Sequence, residues 1–330
     1  MTVAVRPALG AVRYSHTIGQ LTQSGEGFNN PVGVAAAPDG RVYVLSRSNI
    51  AHAEMGILRV TICTLDEQYL DQFTTFGGGD GQLIWPTAIA IDRGTGHVYV
   101  ADEQRNDVQE FDRDGQFVHK WGGPGSAPGQ LNHPSGLAVD STGDVLVVDS
   151  LNNRVQRWSR EGRWKSRFGG PGTGSGQFNM PWGIAVDAAD NLYVADWRNS
   201  RVQKLTRDGR HLATFGGPGK GEKSLDRPAG LAVDGGGYVW VSDYGRDQVK
   251  VFGPDGQVHA TLSGDATMTR WAAPFVAADP EMSELRTRFA DDVAQQERVF
   301  EGPIGIAVTD DNHVLIADCC KHRVQVYQRG

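Results

Sequence analysis

The chain has 330 residues, 43 of them glycine and 15 proline, spread evenly enough to suit a fold with many tight turns. A net charge of −7 gives no global basic field for nucleic acid or an anionic membrane, and three cysteines cannot make a disulfide framework. No run approaches the roughly 18 apolar residues of a membrane helix, and MTVAVRPALGAVRYSH lacks a signal-peptide core, so a cytoplasmic protein without a membrane partner is expected.

Turn prolines punctuate the chain at Pro31, Pro86, Pro134, Pro181, Pro228 and Pro303, evenly in the middle and with longer intervals before Pro86 and Pro303. After each comes a short apolar run: VGVAA, TAIAID, SGLAVD, WGIAVD, AGLAVD and IGIAV. A second follows a polar break: RVYVLS, HVYVAD, DVLVVD, NLYVAD, YVWVSD and HVLIAD. A third is clearest in RVQRWS, RVQKLT and RVQVYQ, and a fourth ends in an aromatic and glycines, as in HKWGG, KSRFGG and LATFGG. Runs this short, rich in Val, Ile and Tyr, are strands. Four antiparallel strands repeated six times predict an all-β, six-bladed β-propeller, one domain over residues 1–330.

The last unit stops after its third strand, Arg323 to Tyr327, and RYSHTIG, Arg13 to Gly19, is expected to supply the fourth and close the ring. Blade one departs from the pattern: Ser46 replaces the Asp that ends the second strand, and no Arg-Val-Gln follows at the usual offset. Asp107 and Gln248 stand at the Arg position of blades two and five. Two insertions, residues 48–56 and 265–302, open on one face. The longer is expected to carry a helix with Asp279 as N-cap, Pro280 first, and an apolar stripe of Met282, Leu285, Phe289 and Val293. A lid over the channel and a helix packed on the rim are equally compatible with it.

GLAVD, VLVVDS and NNRVQRW together resemble the NHL repeat, and six such units cover almost the whole chain. The Gly-His and Trp-Asp marks of WD40 blades are absent. A carboxylate found in nearly every blade (Asp102, Asp149, Asp196, Asp243, Asp318) is expected to build blades rather than perform chemistry. DRDGQ and TRDGR are hairpin turns rather than calcium loops.

What varies between blades on the insertion-bearing face is the better guide to function. Before the prolines stand Asn30, Trp85, His133, Met180, Arg227 and Gly302; after the second strands stand Arg47, Glu103, Ser150, Trp197, Tyr244 and Cys319. Arg47, His133, Arg198 and Tyr244 are the catalytic candidates, with His133 equally suited to holding its loop. Trp85, Trp182, Trp197, Arg227, Cys319 and His52 are the ligand-binding candidates. Cationic and flat aromatic groups together fit an anionic or aromatic small molecule. Cys319-Cys320 is either a redox or ligand-contacting pair or two small packed residues.

The likeness extends to the peptidyl-α-hydroxyglycine amidating lyase propellers, whose zinc histidines directly follow the turn prolines. Val32, Thr87, Ser135, Trp182, Ala229 and Ile304 stand there instead, so that zinc site is not expected; Arg47 matches an arginine of that active site. No metal and no cofactor is expected. The sequence favours a metal-independent, lyase- or hydrolase-like enzyme acting on a small molecule by acid/base chemistry. The alternative is a scaffold for a protein partner or single-stranded RNA, as NHL domains attached to RING modules imply. The acidic balance disfavours nucleic acid.

Overall fold

A computed structural model describes residues 12–22, 25–47, 57–279, 281, 284, 288 and 296–329. Six four-stranded antiparallel sheets are arranged as blades. Blade three is typical, with strands Pro134–Val139, Val145–Asp149, Arg154–Trp158 and Trp164–Gly169 in sequence order from the axis outward. Blade six has strands Pro303–Val308, His313–Asp318 and Arg323–Arg329, and its outer strand is Val12–Ile18 from the other end of the described chain. That strand pairs antiparallel with Arg323–Arg329, from Val12↔Arg329 to Ile18↔Val324, which is the closure anticipated from RYSHTIG.

Strand alternation places apolar side chains on both faces of each blade, and a separate core forms between each neighbouring pair. Leu45, Val60 and Phe73 of blade one meet Leu83, Ile89 and Phe111 of blade two. Ile18, Val324 and Val326 of blade six meet Val34, Val44 and Cys63 of blade one. At the axis the inner strands approach so closely that side chains are excluded. A Cβ on Gly136 would lie 2.3 Å from the Trp182 carbonyl oxygen, on Gly183 2.3 Å from that of Ala229, and on Gly230 1.8 Å from that of Ile304. Gly230→Ala should therefore destabilise by about 3 kcal/mol, the upper end of overpacking costs, because the opposing atom is backbone. Gly170→Ala, where a Cβ meets nothing within 4 Å, is the control. Equal urea midpoints for the two variants would show that the axis can widen.

The repeated aspartates are structural. Asp149, fully buried, accepts the Asn132 N–H (2.7 Å), Arg154 Nε (2.6 Å) and Gln156 Nε2 (2.9 Å). Arg154 then reaches the carbonyls of Ser126, Ala127 and Gln130 in the preceding inter-blade loop. Asp196 and Asp318 repeat this with Arg201 and Arg323. In blade five the cation has moved: Arg246, three residues after the Asp, takes it over and bonds Asp243 (3.0 Å) and the carbonyls of Ser224 and Gly219. In blade two the Arg105 guanidinium instead pairs with Asp107 (3.0 Å), and Asp102 receives from Arg105 only its backbone N–H.

Blade one proves less deviant than its sequence suggests. Arg59-Val60-Thr61 is its Arg-Val-Gln equivalent, displaced by the longer loop; Arg59 bonds Thr61 and the Gly27 carbonyl, while Ser46 Oγ accepts the Asn29 N–H.

The insertion after blade five begins as a strap down the outer rim. Asp265 N–H bonds Gln325, Thr267 N–H bonds Tyr14, and Trp271 buries its ring against Phe28, centroids 5.8 Å apart. A short helix that the sequence did not reveal, Ala273–Ala278, ends at Asp279; Glu281, Glu284 and Arg288 are helical in turn. The stripe Met282, Leu285, Phe289 and Val293 lies outside the described residues, as do residues 48–56 with His52.

Candidate functional site at the channel mouth

The inner strands line an axial channel with a cavity of about 60 Å³, bordered by Gly136, Gly183 and Gly230 and by residues such as Thr87, Ser135, Trp182 and Ile304. Ser135 Oγ donates to the Trp182 carbonyl (2.9 Å) and Thr87 Oγ1 to that of Pro134 (2.8 Å), so both hydroxyls stitch adjacent blades. On the far face Arg93 pairs with Asp310, linking turns of blades two and six.

On the insertion-bearing face the variable residues form two groups. The first spans blades four and five. Trp182 and Trp197 pack at 4.6 Å between ring centroids, Trp197 and Tyr244 at 5.8 Å, and the Arg227 guanidinium lies 5.7 Å from the Tyr244 ring. The aromatic three are half-buried and Arg227 is exposed. Short 3-10 turns, Trp197–Asn199 and Tyr244–Arg246, fix the second and third rings directly after their blade aspartates. Offset rings with an arginine at one end form a platform that can stack a flat group and pair with an anion.

The second group spans blades one, two and three. The Arg47 guanidinium lies 4.6 Å from the Trp85 ring. Glu103 is half-buried beside it, and burial pushes its carboxyl above the usual range, against the pull of Arg47 and His133. Such a carboxyl holds its proton more firmly than a solvent-exposed glutamate does. Glu103 was visible in the sequence only as one of a varied set; the missing signal was that an arginine 56 positions upstream would face it.

His133 is exposed, its backbone held at φ 55 by an N–H bond to Asn106 Oδ1, and its Nδ1 lies 3.0 Å from Asn132 Oδ1. The backbone latch is a repeating device, since Asn153, Asp247 and His322 accept the N–H of Met180, Gly302 and Asn30 in the same way. Arg198 is exposed, and its guanidinium makes no hydrogen bond or ion pair among the described residues.

Cys319 and Cys320 are free thiols, the first buried in the core between blades one and two and the second exposed. A hydrogen bond between them draws the Cys320 thiol down to about 7, while the same contact and burial push Cys319 up. No cluster of His, Cys, Asp and Glu suited to a metal ion occurs among the described residues.

Three segments, residues 131–158, 178–205 and 300–327, match the NHL repeat. Similar segments occur in RING finger protein nhl-1 of Caenorhabditis elegans (44% identity over 62 residues, 19% of this chain and 6% of that protein). Protein brain tumor of Drosophila melanogaster is 30% identical over 115 residues, 34% of this chain and 10% of that protein. The match therefore spans a small part of these relatives.

Among solved structures, a streptogramin B lyase superposes with TM-score 0.58 at 13% identity, covering 98% of each chain. A catalytically inactive virginiamycin B lyase from Staphylococcus aureus with quinupristin gives 0.57 at 13%, covering 96% of this chain and 99% of that one. A structural genomics protein from Bacteroides thetaiotaomicron gives 0.65 at 18%, covering 97% of this chain and 76% of that one. At such identities the likeness is one of fold. The repeats in sequence and the six blades in space agree: the chain carries NHL repeats on a six-bladed β-propeller.

Proposed function

We propose that this propeller is a small-molecule enzyme working by acid/base chemistry at the channel mouth, on a substrate with a flat aromatic part and an anionic group. The observation that carries this is the pairing of an aromatic platform (Trp182, Trp197, Tyr244) with an arginine–carboxyl group (Arg47, Glu103) on one face. The platform stacks the flat part. Arg47 and Arg227 hold the anion, with Arg198 free to join them. Glu103 supplies or accepts the proton, and exposed His133 exchanges it with solvent. Structural neighbours described as lyases, one of them with quinupristin, support an enzyme on this fold by analogy.

Titration with indole-3-acetate, followed by tryptophan fluorescence, tests the binding half of this proposal. Trp197→Ala and Arg47→Ala should each weaken binding by about tenfold or more, roughly 1.4 kcal/mol. Unchanged affinity in both variants would remove the mouth from consideration. Sequence likeness to nhl-1 and brain tumor favours a second reading, a partner-binding scaffold with a protein docked on this same face. A co-purifying small molecule in native mass spectra separates the two, since only the enzyme reading requires one.

A further inference from the structure

Blades one to five join their third and fourth strands by the same tight turn. In blades two to five the fourth turn residue is Gly115, Gly162, Gly209 or Gly256, at φ 84, 71, 84 and 72. Its N–H donates to the carbonyl three residues back. Blade one makes the identical turn, with the Glu67 N–H donating to Thr64 O at 3.2 Å, but it places a glutamate there at φ 60. TLDEQ stands against DRDGQ, SREGR, TRDGR and GPDGQ. A non-glycine residue so placed costs about 1–3 kcal/mol, and the sibling turns show that the hairpin does not need it.

Glu67 is also only 7% exposed. One carboxylate oxygen helps tie down the rim strap. Oε2 accepts the Arg270 N–H at 2.5 Å, and the Glu67 carbonyl beside it accepts Trp271 Nε1 at 2.6 Å. The other oxygen, Oε1, is buried without a hydrogen-bond partner among the described residues. Burial pushes this carboxyl up, and the Arg270 and Gly19 N–H groups offset the desolvation only in part. Glu67 lines a pocket of about 280 Å³ on the rim, between the closing strand, the blade-one turn and the strap, bordered also by His16, Leu65, Asp66, Met268 and Arg270.

We propose that this rim pocket binds a small zwitterion of the α-amino acid class, its ammonium group on Glu67 Oε1 and its carboxylate on the Arg270 guanidinium. The charges bordering the pocket are the two carboxylates of Asp66 and Glu67 and the single guanidinium of Arg270. His16 adds none: its Nε2 lies 2.7 Å from the Leu65 carbonyl, which requires an N–H there, and burial lowers its pKa. Leu65 and Met268 present apolar surface for the ligand's side chain. An ammonium on Oε1 satisfies the orphaned acceptor and stabilises the ionised carboxylate that burial disfavours. The site is separate from the channel mouth and does not rest on the function proposed there.

The test is thermal denaturation and calorimetric titration of the full chain with millimolar L-leucine and L-methionine, beside n-butylamine and isovalerate as half-ligands. The unaltered protein should be stabilised by the amino acids and less by either half. Glu67→Gly restores the turn residue of the sibling blades, so it should fold, and it should lose the response. Arg270→Ala should weaken leucine binding by about tenfold or more while leaving butylamine unchanged. Trp197→Ala, in the mouth, should respond like the unaltered protein. The proposal is overturned if neither amino acid binds, if Glu67→Gly still responds, or if butylamine binds as well as leucine.

Discussion

Removal of residues 1–19 is expected to abolish cooperative unfolding. The deletion takes away the strand Val12–Ile18, whose six registered pairs with Arg323–Arg329 complete blade six. It strips Ile18, fully buried, from the core shared with blade one, and Tyr14 from its edge contact with Tyr327. Burial of one large aliphatic side chain contributes about 1.5–3 kcal/mol, and the unpaired edge of Arg323–Arg329 would invite association between molecules. Against a total stability of roughly 5–15 kcal/mol the loss is decisive. Circular dichroism melts should broaden or vanish, and size-exclusion profiles should shift to aggregates. A sharp melt within a few degrees of the full chain would mean that five and three-quarter blades suffice.

Asp149→Ala should be the most damaging single change in the repeat framework, at about 3–5 kcal/mol, the cost of stranding a buried partner charge. Arg154 is 5% exposed and would keep its guanidinium in place with no carboxylate, while the Asn132 N–H and Gln156 amide lose their acceptor. Asp149→Asn keeps an acceptor but not the charge, and should fall between. Urea denaturation followed by tryptophan fluorescence reads both. A loss under about 1 kcal/mol for the alanine variant would show that the inter-blade loop, not the ion pair, carries the stability.

The same aspartate explains what sequence could and could not reveal. Proline, Asp and Arg-Val-Gln recur at fixed offsets because each fills the same geometric role in each blade, and repetition makes such roles visible. Where a role is shifted along the chain, the offset fails although the physics is kept. Arg59 lies beyond the lengthened loop of blade one, and Arg246 sits three residues after its aspartate instead of five. The helix Ala273–Ala278 has no side-chain N-cap bond to announce it.

At the mouth, sequence placed Trp182, Trp197 and Tyr244 on one face. It could not show that they stack across two blades, because spacing within a repeat does not encode the distance between repeats. Glu103 illustrates the same limit, since its environment depends on Arg47 and His133 from two other blades. Glu67 is the opposite case. The sequence alone displays it as the one turn residue among five that is not glycine, but only the buried, unpaired oxygen gives that exception a meaning.

Ring closure also fixes how this molecule responds to force. Val12 and Arg329 face each other at one end of an antiparallel pair, at the corner of blade six away from the mouth. Tension applied through these two residues would load the ladder one rung at a time, as a zipper, rather than all rungs together in shear.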